Sequence, residues 1–395
     1  MIKFDNLIIT AIEKFGGKVR FVGGCVRDAI LGREIHDVDL ATSLLPDQVI
    51  KALECYNIKA LPTGIKHGTI TAVLNNQSCE ITTLRRDIKC DGRHAEVKFT
   101  DSWQEDASRR DFTFNALYAD KYNNIYDYFC GIEDLKARRL NFVGNAENRI
   151  KEDYLRILRA FRFHAKICVG NLDSKILEVC SKYSHAIRSL SGERIREEIF
   201  KLLQCSNPSP TLESMQKSGV LHEIIPKEVD CTILSSELCS IIHIEALVKL
   251  ALLLRTTNDY NIGEYISGFL RFSCKQKNKL LFLMSHNIKL ELSEQEQKQY
   301  ISLFGNELYC DLIKVCGVES SKSRDTIEQY IAFANTFIIP QFPLSGNDLI
   351  DIGYQPGKNL GRSLQLIKKQ WENSNYTLTR NELILSAKEL INNNE

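Results

Sequence analysis

The chain has 395 residues, 44% hydrophobic and 26% charged, with a formal net charge of +1. Those values fit two or three ordinary globular domains and exclude a disordered chain and a uniformly basic nucleic-acid binder. Thirteen cysteines, an odd number without Cys-x-x-Cys spacing, argue for reduced thiols in a cytoplasmic protein rather than a disulfide framework or a zinc site.

The opening MIKFDNLIIT carries Asp5 and too little apolar length for a signal peptide. Asp5 to Phe15 has a helical period, and Lys18 to Val22 alternates as a strand. Gly23-Gly24 predicts a turn, followed by Arg27 and Asp28 in the first turn of a helix. Val38 to Thr42 reads as a strand, and Pro46 to Cys55 as a helix with proline in its first turn. Thr69 to Leu74 and Cys79 to Leu84 predict two strands joined by Asn75-Asn76-Gln77. Arg86 to Ser108 is polar, with Asp91-Gly92 as a turn, and reads as a mobile loop. Asn124 to Phe129 predicts one more strand. Beyond residue 150 the helical period dominates. It covers Lys151 to Lys166, a helix capped by Ser191, Glu294 to Phe304 behind Ser293, and Arg324 to Phe337. Asn207-Pro208-Ser209-Pro210 reads as a linker or turn. Ala246 to Leu254 is the most apolar stretch, but it contains Lys249 and is too short to span a bilayer. A turn-rich segment, FPLSGNDLIDIGYQPGKNLG, precedes a final helical pair. The pattern is that of an α+β protein: a small mixed head followed by an all-α remainder.

Asp37 and Asp39 carry the chemistry. On a strand they share one face, and two carboxylates there repel unless a cation lies between them. Mg²⁺ suits such a pair, because it is held by one or two carboxylates plus substrate phosphates. Gly23 and Gly24 let backbone approach a phosphate, and Arg27 follows at a helix start. These features point to nucleotidyl transfer, with a solvated Asp-x-Asp pair after an ordinary turn as the alternative. A two-metal centre calls for a third carboxylate, and Glu80 on a strand is the candidate, either as a ligand or as the base for an attacking hydroxyl. In Arg109 to Ala116, read inside a helical pattern, the arginines suit triphosphate oxygens and Asp111 a ribose hydroxyl, with a surface ion-pair network as the equal alternative. Asp153 and Arg156 are three apart on a predicted helix, 152–163, hence on one face with Arg159 and Arg162. Aspartate only accepts and arginine only donates. The pair matches the pairing edge that cytosine and adenine share, whereas uracil and guanine present the reverse order. A plain surface ion pair is the alternative for these two residues.

The motif series resembles the class II bacterial CCA-adding tRNA nucleotidyltransferases and their poly(A) polymerase relatives. The matching residues are Gly23-Gly24-x-Val26-Arg27-Asp28, Asp37-x-Asp39, Thr63-Gly64-x-Lys66-His67-Gly68-Thr69 and Glu80-x-Thr82-x-x-Arg85. They continue through Asp91-Gly92-Arg93-His94, Arg109 to Ala116, Gly131-x-x-Asp134-Leu135, Glu152-Asp153-x-x-Arg156-x-x-Arg159-Ala160-x-Arg162-Phe163 and Glu193-Arg194-Ile195. The resemblance implies a polymerase-beta-like nucleotidyltransferase head (1–150), a helical neck with the nucleotide-selecting helix (151–215), a helical body (216–340) and a tail that contacts tRNA (341–395). It implies Mg²⁺ on Asp37 and Asp39, nucleotide contacts from Gly23, Gly24, Arg27, Arg110 and Asp111, and selection of CTP and ATP by Asp153 and Arg156 with Arg159 and Arg162 beside them. It further implies addition of C, C and A to the tRNA 3′ end without a nucleic-acid template, recognising the acceptor and T arms, with no membrane and no obligatory protein partner. Ala95 stands where the family usually has proline. TGIKHGTIT replaces the basic Arg-Arg-Phe element of the poly(A) branch, and the eight isolated histidines predict no phosphohydrolase domain. The long 86–108 segment favours full CCA addition over CC-only addition. A-only or CC-only enzymes, a poly(A) polymerase and an inactive RNA-binding module are the alternatives.

Overall fold

A computed structural model of the chain describes residues 2, 4–35, 37–75, 77–90 and 95–392. His36, Asn76 and the motif 91–94, with its expected Asp-Gly turn, lie outside them. The chain divides into two compact units, one of Met1–Ser235 with Glu264–Ser273, the other of Ser236–Gly263 with Cys274–Glu395.

In the first unit α1 (Asn6–Lys14) presents Ile8, Ile9, Ala11 and Ile12 to the core, and the Asp5 side chain accepts the Leu7 N–H at its start. β1 (Val19–Val22), α2 (Gly24–Ile30), β2 (Asp39–Thr42) and α3 (Pro46–Glu54) follow. Next come β3 (Lys59–Gly64), β4 (Thr69–Leu74), β5 (Gln77–Thr83), β6 (Arg85–Cys90), β7 (Ala95–Phe99), α4 (Trp103–Ser108), β8 (Leu117–Ala119) and β9 (Ile125–Asp127). Seven strands form one mixed sheet in the order β3-β4-β5-β2-β1-β8-β9. β2 and β5 run parallel and the other neighbours antiparallel. The sheet is covered on both faces. Phe21, Leu40, Ile70, Ile81 and Leu117 pack under α1 and α3, while Val22, Ala41, Leu84 and Tyr118 pack on the opposite side.

Four local expectations change. The predicted loop after Arg85 is instead an antiparallel pair, β6 with β7, joined to α4. Phe99 on β7 sits over Gly68, where a Cβ would come within 2.7 Å of the ring. Such an anchor matters because a two-stranded ribbon is marginal by itself. Gln77 belongs to β5 rather than to the turn, and Asn75 takes the positive φ of 51°. Val38 precedes β2 instead of opening it. Ser209 and Pro210 start a helix rather than a linker.

Helices complete this unit: α5 (Gly131–Lys136), α6 (Ala146–Glu152), α7 (Leu155–Ile167), α8 (Ser174–Lys182), α9 (Gly192–Leu203) and α10 (Ser209–Lys217). α7 packs on α9. Ser191 stands at the N-cap of α9, but its side chain makes no capping bond.

The second unit is helical among its described residues. Its apolar helix Ala246–Arg255 is buried from Ala246 through Leu254. Ser293 and Glu296 form a reciprocal capping box at the start of helix Glu294–Phe304, as do Ser345 and Asp348 at Gly346–Asp351. Leu349, Ile367, Trp371 and Leu383 build a separate core near the C-terminus. Among the described residues no helix is long and apolar enough to cross a membrane. Cys25, Cys79, Cys180, Cys231, Cys310 and Cys316 are buried free thiols.

Candidate active site

β1 delivers the chain into Gly23, whose φ of +72° is open to glycine and costly for other residues. α2 then starts at Gly24 and carries Arg27, which is buried. Its Nε and Nη2 donate to Asp28 at 2.9 and 2.8 Å, and Nη1 donates to Asn115 at 2.6 Å. Three of its five N–H groups are thereby fixed and the rest are left for a ligand. Gly24, Arg27, Asp28, Asp37, Asp39 and Arg162 line a common cleft of about 760 Å³.

Asp39 opens β2 and pairs in register with Glu80 on parallel β5. The two carboxylates therefore leave the same sheet face on strands about 5 Å apart. Asp37 lies outside the strand and is exposed, so alternation does not place it. Its charge nevertheless reaches Asp39. Burial, then the Glu80 and Asp37 charges, push the Asp39 carboxyl up to about 6, with Arg110 pulling the other way. Among the described residues no three His, Cys, Asp or Glu side chains form a metal cage by themselves. The donors are all hard carboxylate oxygens in mutual repulsion. This set fits a divalent cation that takes its remaining ligands from water and substrate phosphate.

Arg110 enters from the segment after α4, not from within a helix as expected. Its Nη1 lies 3.4 Å from where a Gly23 Cβ would sit. Tyr118 and Asp106 hold it from behind. Burial favours its neutral form, but those two partners outweigh burial and raise its pKa. Asp111 is buried. Its Oδ1 accepts from the Phe112 N–H at 2.8 Å and from Asn115 at 3.0 Å, and its Oδ2 accepts from Arg159 Nε at 2.8 Å. Burial would raise its pKa, and Arg159 with Asn115 lowers it instead. A ribose contact has to use the lone pairs left over.

The expected helix over 152–163 is broken. α6 ends at Glu152, and Asp153 is extended (φ −154°, ψ 107°) before α7 begins at Leu155. Asp153 and Arg156 thus share no helix face. Asp153 Oδ1 accepts the Leu155 N–H at 3.1 Å, and Oδ2 accepts from Arg194 at 2.7 Å. Arg156 donates to Glu152 at 2.6 Å and to the backbone carbonyls of Arg149 and Arg109 at 2.9 and 3.1 Å. A backbone bond from Arg156 N–H to Asp153 O at 3.0 Å ties the two positions together. Farther along α7, the guanidiniums of Arg27, Arg159 and Arg162 gather around the Phe163 ring at 5.1, 5.4 and 4.0 Å. Arg162 Nε is 2.5 Å from Glu198 Oε2, close but without hydrogen-bond alignment.

Sequence reasoning named none of Asp106, Tyr118, Phe163, Arg194 or Glu198 as site residues. Arg194 and Glu198 sit four apart on α9, a spacing that reads as a surface ion pair until α7 is packed against it.

Residues 19–141 match the family model described as the poly A polymerase head domain, and residues 171–230 match a probable RNA and SrmB-binding site of polymerase A. The chain is 35% identical over 399 residues to the mitochondrial CCA tRNA nucleotidyltransferase 1 of Danio rerio, covering 96% of this chain and 90% of that one. It is 31% identical over 400 residues to the CCA-adding enzyme of Lactobacillus helveticus, covering 93% and 94%. The structure of the Bacillus stearothermophilus CCA-adding enzyme in complex with CTP superimposes with a TM-score of 0.82 at 24% identity, over 98% of this chain and 96% of that one.

Proposed function

The chain belongs to the CCA-adding tRNA nucleotidyltransferases, and on that premise we propose that it adds C, C and A to the 3′ end of tRNA from CTP and ATP. The tRNA 3′ hydroxyl attacks the α-phosphate and pyrophosphate leaves, with no nucleic-acid template. The observation that carries this is the register of Asp39 opposite Glu80, with Asp37 in electrostatic reach and the Gly23-Gly24 turn and Arg110 beside them.

Asp37 and Asp39 would hold the divalent cation, which we take to be Mg²⁺. When bound it neutralises phosphate charge and acidifies the attacking hydroxyl. Gly23 and Gly24 leave room for the triphosphate, and Arg27 and Arg110 bind its oxygens. Glu80 completes the acidic cluster or takes the hydroxyl proton. Asp153 accepts from the amino group that C and A share, and Arg156 donates to the adjacent ring nitrogen. Arg194 and Glu152 hold those two side chains in place. Arg159 and Arg162 belong to the same pocket, held by Asp111 and Glu198. Recognition of tRNA would use the shape and backbone of the acceptor and T arms, as duplex RNA is generally read. We further propose a head at 1–150, a neck at 151–215, a body at 216–340 and a tail at 341–395. A reducing compartment, the cytoplasm, suits the free thiols.

The test offers CTP and ATP, singly and together, to tRNA ending before CCA, to tRNA ending in CC, and to unstructured RNA. Two C additions from CTP and one terminal A from ATP are expected. Asp39→Asn should lose all extension. An Asp39→Asn enzyme that still extends tRNA removes the metal role. A-only addition, CC-only addition or long adenylate tails would each replace the reading by the corresponding relative, and no extension of any RNA would leave an inactive RNA-binding module.

A further inference from the structure

Asp106 is 1% exposed on α4, between the β6–β7 pair and Arg109-Arg110. Both of its oxygens are fully engaged. Oδ1 accepts the Arg85 N–H at 3.2 Å and Arg109 Nε at 2.9 Å. Oδ2 accepts Tyr118 Oη at 2.6 Å and Arg110 Nη2 at 3.2 Å. α4 itself is pinned by Trp103, which meets Tyr118 edge-on at 5.3 Å and lies 4.2 Å beneath the Arg20 guanidinium. Arg85 is the first residue of β6. The preceding Leu84 donates its N–H to Thr42 O at the end of β2 and accepts the Thr100 N–H after β7. One buried carboxylate therefore joins the stem of the β6–β7 pair to Arg110, whose far end approaches the Gly23 turn and whose charge acts on Asp39.

We propose that Asp106 is a positioning residue that aims Arg110 at the Gly23-Gly24 turn and ties that aim to the seating of β6 at Arg85. The proposal rests on the reading above that Arg110 contacts nucleotide phosphate. An amide in place of the carboxylate keeps the shape, but it turns one acceptor into a donor that faces other donors. Arg110 then loses both its counter-charge and its orientation. A purely structural Asp106 would instead change the folded fraction and leave nucleotide handling by the folded enzyme untouched.

A double-mutant cycle separates the two, using C addition to tRNA that lacks CCA. Asp106→Asn should raise KM for CTP about tenfold or more, the scale of one hydrogen bond to a charged group. In an Arg110→Gln background the same substitution should add less than about twofold to KM, although it still lowers the melting temperature there, because Asp106 keeps Arg109, Tyr118 and the Arg85 N–H as partners. Tyr118→Phe deletes the donor to Asp106 and the acceptor for Arg110 Nε without changing charge. It should raise KM about threefold where Arg110 is present and not where it is absent, and it serves if Asp106→Asn does not fold. Losses that multiply in the double variants overturn the proposal, as does an unchanged KM in Asp106→Asn or Tyr118→Phe. If Arg110→Gln alone keeps a normal KM, the nucleotide contact itself is wrong and the proposal falls with it.

Discussion

Asp153 does two things that substitution can separate. Its Oδ1 accepts the Leu155 N–H in the first turn of α7, and its Oδ2 pairs with Arg194. The pair is partly exposed, 29% for Arg194 and 23% for Asp153, so its own contribution to stability is at most about 1 kcal/mol. Losing the acceptor at a helix start costs about 1 kcal/mol more. Asp153→Ala should therefore lower the melting temperature by a few degrees, at roughly 2–4 °C per kcal/mol for a unit of this size. Asp153→Ser keeps a hydroxyl oxygen for Leu155 and should keep most of that stability. On the proposed reading, both variants lose the carboxylate that would accept from the amino group shared by C and A and repel the carbonyl of U. A hydrogen bond to a charged group is worth about 1.5–3 kcal/mol, or tenfold to about a hundredfold in a rate ratio. The kcat/KM ratio of CTP over UTP, measured by single-nucleotide extension of tRNA lacking CCA, should fall by that factor in both variants. A serine enzyme of normal stability that still prefers CTP over UTP as the parent does refutes the assignment of base choice to Asp153.

Two further predictions concern the scaffold. At Gly131 a Cβ would lie 2.3 Å from Thr113 O and 2.6 Å from its carbonyl carbon, both backbone atoms that cannot rotate away. Gly131→Ala should cost about 1–3 kcal/mol in chemical denaturation, and an unchanged midpoint would show that α5 shifts freely. At Asp106 burial opposes ionisation, but Arg109, Arg110 and Tyr118 lower the carboxyl to about 2. A depressed folded-state value means the stabilisation is complete above the unfolded value of about 3.9 and is lost as pH falls through 2. The stability gap between the parent and Asp106→Asn, about 2 kcal/mol from this shift, should be flat above pH ~4 and shrink below it. A gap independent of pH between 5 and 2, on the order of three units, would rule out that linkage.

Short-range signals carried the elements and long-range pairing did not. Asp5, Pro46, Ser293 and the apolar periods of α1 and α3 are local, and the boundaries follow them within a residue. β3 escaped because Lys59–Gly64 contains Pro62 and has no buried residue to mark a face. The β6–β7 pair escaped because its polar composition looks like a loop, and its anchors at Gly68 and Asp106 are distant in sequence or backbone contacts. The break at Asp153 is the instructive case. The apolar period continues through it, so periodicity alone starts a helix at Lys151 and carries it past Asp153 into α7. What ends α6 is a side chain that accepts the Leu155 N–H and pairs with Arg194, 41 residues away.

The near-neutral total charge also takes on a physical meaning in the cleft. Arg27, Arg33, Arg162, Lys166 and Lys201 line it, against Asp28, Glu34, Asp37 and Asp39. Asp28 already draws on Arg27 and Lys166. The cleft by itself is therefore nearly balanced and does not offer a free surplus of positive charge to a triphosphate. A divalent cation at Asp37 and Asp39 would tip that balance while relieving the repulsion that raises Asp39. On the proposed reading, cation and triphosphate each make the other's binding favourable. Affinity then depends on a local, switchable charge rather than on a basic surface, which a chain of net charge +1 does not need to carry.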